Sequence, residues 1–94
     1  MQDLELQLSA LEELRNFIIQ LQNDLSERLQ AYNYRVRGLR ESGLSIQVAS
    51  TYESNFCEAN NAAVGRLIDS LNEADLPYIS RNIERIIEAI ESSR

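Results

Sequence analysis

A chain of 94 residues is the size of a single domain, 1–94, and so short a domain buries a modest core and is marginally stable. Its net charge of −6, from 15 acidic and 9 basic residues, sets it against a phosphate backbone, so nucleic acid is disfavoured as a partner. With no histidine and one cysteine, Cys57, it can form neither an internal disulfide nor the usual zinc sites nor a histidine-activated nucleophile. The expectation is therefore a protein that is not an enzyme, with no catalytic residue, no cofactor and no metal. What stabilises it must be packing within the chain or against another chain.

Residues 1–37 lack both Gly and Pro, and Leu4, Leu8, Leu11, Ile18, Leu25, Leu29, Tyr32, Val36 and Leu39 recur in steps of three and four, interrupted by Arg15 and Gln22, beside which Leu14 and Leu21 widen the strip. That spacing predicts one long helix over about 3–38, roughly 50 Å in length. The stop is expected at Gly38 or Gly43. Arg35, Arg37 and Arg40 complement the dipole in the last turns, and Glu41-Ser42-Gly43 forms the loop.

The second helix is predicted over 45–72. Leu44, Ile46 and Val48 alternate as in a strand, but a lone strand would have no pairing partner. Either Ser45 or Ser50 can cap it, the latter with Glu53 in a capping box. Its strip continues through Ala49, Tyr52, Phe56, Ala59, Ala63, Leu67 and Leu71, and the small residues near Gly65 permit close helix approach. Pro77 removes a backbone donor and disfavours helix at Leu76, which predicts a break with Asp75 as N-cap. A third helix follows over 76–91, either folded back on the first or continuing the second. The fold class expected is all-α, an antiparallel helical hairpin with a Pro-interrupted second arm.

Other candidate sites have plainer explanations. Cys57 follows Phe56 on a core-bearing helix and reads as a buried, inert thiol. Glu84, Glu88 and Glu91 alternate with Arg81 and Arg85, which reads as a solvated, salt-bridged face. Arg28, Arg35, Arg37 and Arg40, with Tyr32 and Tyr34 nearby, are the nearest thing to a basic patch, and dipole compensation explains them. No segment approaches the ~18 apolar residues of a membrane span, and the N-terminus does not resemble a cleavable signal peptide. A chain cytoplasmic as made is expected, with export by a route that reads no such signal left open.

The middle of the first helix carries more apolar surface than one neighbour can cover. Leu14, Phe17, Ile18, Ile19, Leu21 and Leu25 occupy over half its circumference, and the candidate interface on it is Leu11, Leu14, Phe17, Ile18, Leu21 and Leu25. Either the third helix folds back over them, giving a monomeric three-helix bundle, or they form an interface, facing residues such as Tyr52 and Phe56, with two hairpins making a four-helix bundle. The second reading predicts a homo- or heterodimer.

A long helix, a Gly-containing turn near the midpoint and a second helix, in an acidic chain of this length, resemble the Trp-x-Gly helical-hairpin proteins of type VII secretion systems. The resemblance implies a dimeric four-helix bundle, export without a cleaved signal peptide, and pairing with a larger secreted or toxin protein. The chain has Glu41 where the family's Trp precedes the turn Gly, and Asn82 where its tail motif following Tyr78 has an acid. The resemblance therefore carries over an architecture and no functional residue. The function expected is that of a secretion adaptor or chaperone-like partner. The alternatives are a subunit of a coiled-coil, phage or needle assembly, and an acidic inhibitor or immunity protein of a basic toxin.

Overall fold

The structure is a computed structural model and describes residues 3–93. Its fold is all-α, a helical hairpin with no strand among the described residues. Helix α1 spans Leu4–Glu41. The second arm comprises α2 (Ile46–Tyr52), a π turn (Glu53–Cys57), α3 (Glu58–Ser70), a second π turn (Leu71–Asp75) and α4 (Leu76–Ser92). The chain divides into two compact units. One takes the chain through Gln22 together with the chain from Asp69, and the other is Asn23–Ile68.

Local chemistry sets each boundary. Asp3 opens α1, its carboxylate accepting from the backbone N–H of Glu5 at 2.9 Å and of Leu6 at 3.4 Å. The helix runs through Gly38, one of the two expected stops, and ends only at Glu41, because Gly38 has no reason to leave helical φ/ψ. Gly43 makes the turn, at φ +117°, where a side chain would be strained. The Leu44 N–H then reaches back to the Leu39 carbonyl at 3.1 Å, closing a Schellman-type C-cap. Ser45 is the cap of α2: its backbone is extended and its Oγ accepts from Val48 N–H at 3.2 Å, leaving Ser50 inside the helix.

In the Asn23–Ile68 unit the two arms run antiparallel. As α1 climbs from Asn33 to Arg40, the facing arm descends from Asn61 to Glu53. The buried core here is Val36, Ala49 and Cys57. In the π turn the Glu58 N–H bonds to the Glu53 carbonyl, five residues back. This wider turn holds Ala49, Glu53 and Cys57, spaced by four, toward α1, where a regular helix would carry them round.

In the other unit Ile18 of α1 is buried with Leu71, Ile79 and Ile83. The strip Leu76, Ile79, Ile83, Ile86, Ile87 and Ile90 gives α4 a strongly one-sided apolar face, as its spacing predicts, with Ile87 at its exposed edge. Asp75 and Pro77 do not make the expected N-cap and break. Asp75 has helical φ/ψ and its side chain caps nothing, and Leu76 is helical although a proline follows it. The interruption of the second arm is instead the π turn Leu71–Asp75, in which Leu76 N–H bonds to the Leu71 carbonyl. A proline ring at 77 would collide with the Glu73 carbonyl of a regular helix. Widening the turn at that carbonyl relieves the collision and leaves the arm helical.

Candidate interaction surfaces

In the Asn23–Ile68 unit Tyr32 is the centre of a polar cluster between α1 and the second arm. The Tyr32 and Tyr52 hydroxyls share a hydrogen bond of 2.7 Å, and the Tyr32 oxygen also accepts from the Asn60 amide at 3.2 Å and from the Cys57 thiol at 3.6 Å. The Tyr52 hydrogen bond foremost, then the Cys57 sulfur and desolvation, push the Tyr32 phenol up to about 12, against a smaller opposing effect of the Asn60 amide. On the opposite flank Asn33 and Asn61 exchange amide hydrogen bonds of 2.8 and 3.0 Å, and Asn61 also donates to the Cys57 carbonyl at 2.6 Å. Arg40 pairs with Glu53 at 2.6 Å. Cys57 is a free, buried cysteine whose thiol donates to the Tyr32 hydroxyl.

Beside this cluster the second arm leaves an apolar stripe open. The Tyr52 and Phe56 rings stack at 5.2 Å, and Phe56 is 54% exposed. The stripe continues through Ala59 and Ala63 to Leu67, which is 45% exposed, and carries no charged residue. Leu25, Leu29, Tyr32, Asn60 and Val64, with the charged Arg28, line a shallow groove of about 280 Å³ next to it.

The other unit has a groove of about 520 Å³ between α1 and the second arm. Leu14, Ile18, Ala74, Tyr78 and Ile79 give it an apolar lining, and Glu73, Asp75 and Arg81 supply its charges. Tyr78 is 63% exposed, and Phe17, on α1 in the same unit, is 62% exposed.

The residues expected to form one interface thus separate by environment. Leu14 and Phe17 are open to solvent, Leu11, Leu21 and Leu25 are half-buried, and Ile18 is 8% exposed, a core residue of its unit that shows only an edge in the groove. Tyr52 and Phe56 belong with Leu25 to the other unit. Sequence reasoning missed the groove at Ala74 and Tyr78. Expecting a helix break at Asp75 and Pro77 separated Ala74 from Tyr78, although Ala74, Tyr78 and Arg81 at steps of four and three were there to be read.

Glu84, Glu88, Glu91, Arg81 and Arg85 are exposed, as a solvated face requires. Among the described residues no group of His, Cys, Asp and Glu is arranged to hold a metal ion, and no helix is long and apolar enough to cross a membrane. In comparisons with known proteins, no family model matches the chain, and no curated protein or solved structure shows significant similarity to it.

Proposed function

We propose that this chain is a non-catalytic helical pairing protein that self-associates through the Phe56–Leu67 stripe and serves as an adaptor or chaperone-like partner of a larger protein. The observation that carries this is an uncharged, solvent-exposed stripe on an electrically balanced unit. In Asn23–Ile68 the acids Asp24, Glu27, Glu41, Glu53 and Glu58 are matched one for one by Arg28, Arg35, Arg37, Arg40 and Arg66. Two copies can therefore approach there without net repulsion. The stripe is also self-complementary. Laid antiparallel on a second copy, Phe56 meets Leu67 and Leu67 meets Phe56, with Ala59 and Ala63 between them where the helices come closest.

The core supports the same reading, since among the described residues no large side chain is fully buried. Covering two half-exposed large side chains on each copy contributes on the order of several kcal/mol, a large share of a small domain's stability. The resemblance to the helical-hairpin proteins of type VII secretion motivates the adaptor role. Light scattering across a concentration series, with circular dichroism on the same samples, tests the pairing. A helical dimer at micromolar concentration that Phe56→Asp with Leu67→Asp converts to a folded monomer is the expected result. A folded monomer at all concentrations overturns it, and growth beyond a dimer points to a scaffold subunit instead.

A further inference from the structure

Charge is partitioned sharply between the two units. Because Asn23–Ile68 is balanced, the whole net charge of −6 resides in the other unit, which holds the Leu14–Tyr78 groove. We infer that this groove docks a cationic amphipathic helix from a different protein. This goes beyond self-pairing and does not depend on it.

The groove runs along the seam of two helices, and its apolar residues repeat at helical steps: Leu14 and Ile18 on one side, Ala74 and Tyr78 on the other. A third helix laid along such a seam places anchors at i, i+3 or i+4, and i+7 among these side chains. Ala74 leaves room for a large anchor, and Tyr78 offers a ring face to a leucine or to a Lys or Arg head. Glu73 and Asp75 stand at the lining to receive basic residues on the incoming helix, and Arg81 supplies one cation that an acidic residue there could meet.

Charge decides among the occupants. A second copy would bring one acidic unit against another, at a cost of like-charge repulsion. Nucleic acids and anionic lipid surfaces are repelled for the same reason. A neutral small molecule gains nothing from the two carboxylates, and the open groove would leave much of it wet. A basic amphipathic helix matches both the apolar lining and the field of the unit.

The test uses the full chain and a fluorescein-labelled synthetic helix of leucine and lysine, with its leucine–glutamate counterpart as control, read by fluorescence anisotropy. The lysine peptide is expected to bind in the micromolar range and the glutamate peptide about tenfold more weakly or less well still. Leu14→Ser with Tyr78→Ser should weaken the lysine peptide about tenfold, and Glu73→Gln with Asp75→Asn several-fold, with a shallower salt dependence. Should the double serine variant lose helicity, Tyr78→Ser alone alters a mostly exposed side chain and suffices. The inference is overturned if the lysine peptide fails to bind or binds all variants equally. It is also overturned if the groove substitutions dissociate a dimer, since a second copy would then be the occupant. Loss of dimerisation on changing Phe56 and Leu67, with peptide binding intact, separates the two proposals.

Discussion

Single residues here act through backbone geometry and proton affinity. Tyr32 is held protonated by its partners, so its folded pKa of about 12 lies above the ordinary 10.0. Stability from this source is fully present below about pH 10 and is lost as pH rises from there through 12. Thermal melts followed by circular dichroism should show a fall in Tm between pH 9 and 11.5 that Tyr32→Phe diminishes. An unchanged fall in the variant would assign the effect to other groups. Gly43 carries the turn at φ +117°, with nothing near enough to obstruct a Cβ. The cost of Gly43→Ala is therefore backbone strain alone, about 1–2 kcal/mol by denaturant titration. Gly38→Ala, inside α1 and equally unobstructed, should stabilise the helix slightly.

Elements are joined and kept in register by a few polar pairs. Apolar strips of leucine and isoleucine tolerate sliding by a turn, whereas the Asn33–Asn61 amide pair is satisfied in one register only. Asn61→Leu strands a half-buried amide on Asn33 and releases the Cys57 carbonyl, and should cost about 1–3 kcal/mol. Changing both to leucine should recover much of that and leave the register less well defined, seen as broadened amide resonances. Retention of full stability in the single variant would remove Asn33–Asn61 from this role. Pro77 belongs to the same scale. Because the Leu71–Asp75 turn already accommodates the ring, Pro77→Ala should change stability by far less than the ~3 kcal/mol of an unaccommodated interior proline.

For the whole molecule, the division of charge matters more than its total. A net −6 suggests a protein that avoids its own kind, yet the acids and arginines of Asn23–Ile68 cancel and leave an apolar stripe unopposed. Self-association through that stripe should change little between 50 and 500 mM salt, whereas binding of a cationic helix by the acidic unit should weaken markedly over the same range. A dimer that salt strengthens greatly would instead place the acidic units against each other.

The periodicity of Leu4 through Val36 determined the long helix, and that of Ile79 through Ile90 determined α4, because a one-sided strip at helical spacing has few other ways to be buried. Ser45 and Gly43 likewise declared a cap and a turn through chemistry contained within a few residues. The path through Pro77 was not legible in the same way. Local propensity at Leu76 favours a break, and only tertiary packing of Leu71, Ile79 and Ile83 on one side makes a widened helical turn the better solution. Nor could the strip itself separate Ile18 from Phe17, which are adjacent in sequence and equally apolar. Burial is a property of what lies opposite, and only the folded second arm decided that Ile18 is core while Phe17 is left facing solvent.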